Sequence, residues 1–104
     1  MSEEGNDAAY RRLWASVIIQ ALIDATRQGT EQAPLTPTAA AERDQARAWF
    51  QAEVGTTAQN FEAVCLAAEF DPAQVRRFAL TYEGPPLTVH TLSRLRDSMI
   101  GKQA

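Results

Sequence analysis

Gln74, Arg76 and Arg77 lie just downstream of an Asp71-Pro72 pair, and Arg94 and Arg96 follow near the C-terminus. An amide and guanidinium groups on the first turns of a helix are the groups that pair with base edges and phosphates. Arg suits bidentate contacts to guanine or a phosphate. This set reads as a candidate DNA contact, with Gln74, Arg76 and Arg77 on a recognition surface and Arg94 and Arg96 on flanking phosphates.

Chemistry of other kinds is poorly served. There is no Gly-x-Ser-x-Gly, no Gly-rich phosphate loop and no pair of histidines, so the chain reads as non-enzymatic. Cys65 falls on an apolar helical face and reads as a small buried hydrophobe. One cysteine and one histidine make no zinc site, and neither metal nor cofactor is expected. His90 reads as a surface or cap-adjacent side chain. Trp14, Trp49, Phe50, Phe61 and Phe78 could stack on bases, but their helical spacing favours core packing. Arg11 and Arg12 read as the solvated side of a helix rather than a second phosphate clamp.

The elements that must position the arginines follow from periodicity. Phe61, Val64, Cys65 and Ala68 have the i, i+3, i+4, i+7 spacing of a helix burying one face. Asp71 caps the next helix, Pro72 suits its first position, and Gln74 stands where a capping box places Glu or Gln. Val75, Phe78 and Ala79 face inward there, leaving Gln74, Arg76 and Arg77 partly or wholly outward over residues 71–82. The pattern is that of a helix-turn-helix.

Upstream, Asn6 or Asp7 caps a first helix. Its stripe of Tyr10, Leu13, Trp14, Val17, Ile18, Ala21, Leu22 and Ala25 ends near Arg27-Gln28, before Gly29. Ile19 and Ile23 lie off that stripe, so the helix is apolar around more than half its circumference. Leu13, Trp14, Ile18, Ile19, Leu22 and Ile23 therefore read as an oligomerisation surface, the alternative being a bundle that wraps this helix on several sides. Residues 29–38 read as a linker. A second helix opens at Thr36-Pro37, buries Ala39, Ala46, Trp49, Phe50 and Val54, and stops before Gly55. Thr56 to Asn60 form a loop in which Thr57 or Asn60 caps the third helix.

Residues 82–86 break the chain. Val89, Leu92, Leu95, Met99 and Ile100 then make a last helix with Thr88 as cap and Gly101 as stop; in the competing reading, Leu80–Glu83 and Leu87–Thr91 pair as a small wing. The expectation is an all-α fold of four to five helices, divided into an oligomerisation helix (1–33) and a helix-turn-helix domain (34–104), or packed as one domain.

At 104 residues, with 45% hydrophobic and 22% charged residues, the chain can bury one modest core. The net charge of −3 argues against coating nucleic acid by bulk charge, but the charge is unevenly distributed. Acidic residues dominate up to Phe70, whereas from Asp71 onward Arg76, Arg77, Arg94, Arg96 and Lys102 outnumber Asp71, Glu83 and Asp97. Such a protein holds DNA weakly per subunit and with strong salt dependence, which multiple copies offset. No apolar run approaches a membrane span and the N-terminus is acidic, so a cytoplasmic location is expected, with no membrane partner.

The segment Val64-Cys65-Leu66-Ala67-Ala68-Glu69-Phe70-Asp71-Pro72-Ala73-Gln74-Val75-Arg76-Arg77 resembles the helix-turn-helix of small prophage and regulatory proteins: an apolar helix, a turn, a Ser-Pro or Asp-Pro helix start, and Val-Arg-Arg. It departs from that pattern at Glu69, where glycine is usual. The run from Tyr10 to Leu22, with Ala48-Trp49-Phe50, is similar to small open reading frames of phage and gene-transfer-agent-like clusters in proteobacteria. The resemblance implies a small terminase subunit that binds double-stranded DNA, self-associates and serves a packaging ATPase. Its alternative is a dimeric transcriptional regulator that meets the transcription machinery. A reading from another class is a protein-interaction adaptor whose arginines meet an acidic partner.

Overall fold

The computed structural model describes residues 3–92. Four helices occupy most of them: α1 (Glu3–Ala25), α2 (Pro37–Gln51), α3 (Gly55–Ala67) and α4 (Pro72–Thr81). A further helix opens at 89 and is described to 92. The fold is all-α, with no wing: residues 80 and 81 finish α4, residues 82–88 are irregular, and helix resumes where the second strand was expected. Arg94, Arg96, Leu95, Met99, Ile100 and the Gly101 stop lie outside the described residues.

α1 starts earlier than the sequence suggested, so Asp7 is inside the helix rather than at its cap. α2 begins as expected. Thr36 accepts from the Ala39 amide at 3.1 Å and Pro37 occupies the first turn, where its missing N–H costs nothing.

α3 is the main correction. It starts at Gly55, and Thr56 to Asn60 are helical rather than a loop. Neither Thr57 nor Asn60 caps it; its N-cap is Val54, with no side-chain bond. Asn60 has another task, accepting from Trp49 Nε1 at 2.8 Å. Val54, expected in the core, is 84% exposed, because the chain leaves α2 at Ala52 and turns through open solvent into α3.

One core joins all the elements. Ile18, Leu22 and Ala25 of α1 meet Ala46 and Phe50 of α2, Phe61, Val64 and Cys65 of α3, Val75 of α4, and Leu87 and Leu92 beyond it. The core thus draws on residues from both sides of the 33/34 division. Trp49, Phe50 and Phe61 pack edge to face at its centre, with centroids 5.1 to 5.8 Å apart.

The segment after α4 returns to α1. The Leu87 amide donates to Thr26 Oγ1 at 3.0 Å, and Gln28 Nε2 donates to the Gly84 carbonyl at 3.2 Å. Thr88 opens the next helix by accepting from the Thr91 amide at 3.2 Å. Among the described residues no helix is long and apolar enough to cross a membrane.

Candidate nucleic-acid interface

The turn between α3 and α4 is closed at both ends by backbone and side-chain bonds. The Phe70 amide donates to the Cys65 carbonyl at 2.8 Å and the Glu69 amide to the Leu66 carbonyl at 3.0 Å, the two bonds of a Schellman motif. That motif requires a left-handed residue just past the helix, and Glu69 supplies it with φ 64°. Here the chain departs from the glycine of similar turns and still makes the turn, at a cost of about 1 kcal/mol. Phe70 then buries its ring, and Asp71 Oδ1 accepts from the Ala73 amide at 2.9 Å to start α4. Asp71 thus accepts from the amide of the second helical residue and, among the described residues, Gln74 makes no return bond, so α4 is capped without the expected capping box.

Val75 is fully buried, which fixes how α4 is rotated. Successive residues on a helix stand about 100° apart, so Arg76 and Arg77 have different surroundings. Arg77 is exposed, with Ala73, Leu80 and Thr81 on the same side. Gln74 is half-buried beside them.

Arg76 is turned the other way. Its Nε donates to the Phe50 carbonyl at 3.0 Å and an Nη donates to the Ala52 carbonyl at 2.7 Å. Its guanidinium lies 4.9 Å from the Phe61 ring centroid. The side chain therefore satisfies the orphan carbonyls at the end of α2. Glu53 and Glu62 line the same hollow, of about 340 Å³, and disfavour a phosphate there. The expected outward recognition pair is thus split: Arg77 remains on the outer face, whereas Arg76 holds α4 to α2.

Most of the other described arginines are likewise engaged within the chain. Arg47 donates to the Ala25 carbonyl at the end of α1 at 2.9 Å. Arg27 pairs with Asp24 at 2.6 Å and Glu42 at 3.0 Å, and Arg43 with Asp44 at 3.1 Å. Arg11 stands 3.7 Å from Glu69. Among the described arginines, Arg12 and Arg77 have neither an ion pair nor a side-chain hydrogen bond. Arg11 and Arg12 flank a hollow of about 320 Å³ beside the α3–α4 turn.

The expected self-association surface also divides. Ile18 and Leu22 are fully buried in the chain's own core and can offer nothing to a second subunit. Trp14, Ile19 and Ile23 are half-buried against that core. Leu13 stays outward, and the sequence missed its companions: Tyr10 and Val17, expected in the buried stripe, are exposed. Beside them α1, α2 and α3 frame an open groove of about 760 Å³ with Trp14, Val17, Ala21, Trp49 and Val64 on its walls. Trp14 Nε1 is buried there without a partner.

Cys65 is fully buried, and desolvation pushes its thiol up to about 12 despite the opposing charge of Arg76; Asp71 and Glu62 push the same way as burial. It is an inert core atom rather than a nucleophile. His90 is exposed, in the first turn of the last described helix. Among the described residues no three His, Cys, Asp or Glu side chains converge as metal ligands. Compared with family models, curated proteins and solved structures, this chain matches none.

Proposed function

We propose that this chain is a non-enzymatic, cytoplasmic protein that binds double-stranded DNA through α3, its turn and α4, and that it self-associates through α1. The observation carrying this reading is the turn. A Schellman closure, a left-handed Glu69 and the Asp71 cap fix α4 on α3 while Arg77 stays solvent-facing on its outer side. One free arginine per face makes a weak site, and a second copy doubles the contacts without a new residue. The resemblance of Val64–Arg77 makes a small-terminase-like packaging adaptor the form proposed, with a transcriptional regulator as its alternative.

A protein-interaction adaptor is the second reading, favoured by the commitment of Arg76 to the end of α2 and by the open apolar groove beside α1. Fluorescence anisotropy of labelled duplex separates the two. In the DNA-binding reading, Arg77→Ala weakens binding and lowers the salt slope by about 1. A folded wild type that leaves duplex unbound at low salt overturns it and leaves the adaptor. Regulation predicts a preferred palindromic site; packaging predicts capture of a nucleotide-hydrolysing motor partner.

A further inference from the structure

The core-facing stripe of α1 ends on a charge. Arg11 stands about two turns before Ile18 and within about 20° of it around the helix, where an apolar residue would extend the core. It meets the turn between α3 and α4 instead. Its guanidinium is 3.7 Å from the Glu69 carboxylate, a long pair between two exposed side chains, so little holds it there. Arg12 is exposed beside it and, among the described residues, has neither an ion pair nor a side-chain hydrogen bond.

The hollow that these arginines flank reaches from α1 to Ala68, Glu69 and Phe70. It sets two arginines against one carboxylate, whereas the hollow at Arg76 sets one arginine against two. An anion is favoured at the first and disfavoured at the second. The first also adjoins the outer face of α4. Phe70 immediately precedes the Asp71 cap, and Arg77 lies five residues past Pro72, so the Cα atoms of Phe70 and Arg77 are at most about 16 Å apart. A major groove is about 12 Å wide, so a duplex laid on α4 brings a bordering strand within range of the hollow.

We propose that Arg11 and Arg12 form a phosphate clamp, a contact from α1 to the backbone of the duplex that Arg77 meets. This inference rests on the DNA-binding reading and adds to it a site outside α3 and α4. Such a clamp sets the position of the duplex and reads no sequence. Glu69 opposes it, by its own charge and by its pairing with Arg11.

The test is fluorescence anisotropy of labelled duplex with the full chain over a range of salt concentrations. Arg12→Ala removes an exposed, unbonded side chain, and an unchanged urea midpoint checks that the variant is folded. It is expected to weaken binding severalfold and to lower the salt slope by about 1, whereas Arg12→Lys keeps the slope. Arg43→Ala makes the same change in net charge on α2, outside this hollow, and is expected to leave the slope unchanged. Glu69→Gln is expected to tighten binding. A wild-type slope in Arg12→Ala overturns the clamp alone, provided the wild type binds. So does an equal loss in Arg43→Ala, which would make the effect one of bulk charge, and so does weaker binding by Glu69→Gln. A folded wild type that leaves duplex unbound at low salt overturns the DNA-binding reading and the clamp with it.

Discussion

α1 and α4 depart from simple amphipathy in opposite directions. α1 carries Tyr10, Leu13 and Val17 into water, whereas α4 turns the guanidinium of Arg76 out of it. In each helix the departure lies beside residues that obey the rule, Ile18 and Leu22 in α1 and Val75 in α4. The core fixes each helix's rotation through a few large side chains, and the neighbours go where 100° per residue carries them. On α4 that places a charge at the end of another helix, where carbonyls need donors. On α1 it places an apolar stripe in the open.

The sharpest break between the two faces of α1 is a truncation on each. Leu22→Ala should cost about 3 kcal/mol, through lost transfer energy and the cavity left behind. Leu13→Ala should stay within about 0.5 kcal/mol, since a side chain more than half exposed leaves no cavity. Urea midpoints at low protein concentration read both. Equal losses would mean that Leu13 is not on an outer face.

The matching test on α4 sets Arg76 against Arg77. Arg76→Ala should lose about 2 kcal/mol or more, because two carbonyls at the end of α2 lose a charged donor and Phe61 loses the cation above its ring. Arg76→Lys should recover little, since a compact ammonium lacks the fork that reaches two carbonyls at once. Arg77→Ala should leave the urea midpoint within about 0.5 kcal/mol. Weaker DNA binding by a folded Arg77→Ala then reports the missing guanidinium alone.

The contrast also shows what was legible in the residues. Val64, Cys65 and Ala68 are buried as their spacing requires, and Thr36-Pro37 and Asp71-Pro72 open helices where the residue types put them. These signals are local: a cap bonds within its own turn. The fate of Arg76 is not local. Its acceptors lie 24 and 26 residues away, at a helix end whose position depends on tertiary packing. Likewise α3 starts ahead of Asn60, which is a good cap by type but is held by Trp49 across the α2–α3 interface. Tyr10 and Val17 share the apolar period of Ile18, and only the positions of α2 and α3 decide which part of that broad face is covered.

A third test concerns the core next to Arg76. Because burial raises the Cys65 thiol from 9.0 to about 12, the folded state keeps its proton where the unfolded state loses it. Stability from this group is therefore fully present below about pH 8. It falls as pH rises through the interval between 9.0 and about 12, by at most about 1.4 kcal/mol per unit. Cys65→Ala should be less stable near neutrality, from the lost packing, but should show a shallower decline in alkali. Parallel curves for the two proteins would place the thiol in contact with solvent.

The smallest effect separates backbone strain from charge in the α3–α4 turn. At φ 64°, Glu69 bears a steric cost that glycine avoids, so Glu69→Gly should relieve about 1 kcal/mol and return a few tenths to the greater freedom of the unfolded chain. The same substitution removes the ion pair between Glu69 and Arg11, which is long and solvent-exposed and therefore a small term. A modest net gain in stability is expected. Glu69→Gln removes the charge and keeps the strain, so it should leave stability nearly unchanged. If Glu69→Gln instead destabilises as much as Glu69→Gly stabilises, the pairing with Arg11 is what holds α1 to the turn. Both variants expose Arg11 beside Arg12, so in the DNA-binding reading neither should weaken affinity for duplex, and weaker binding by both would make the carboxylate itself part of the DNA-facing surface.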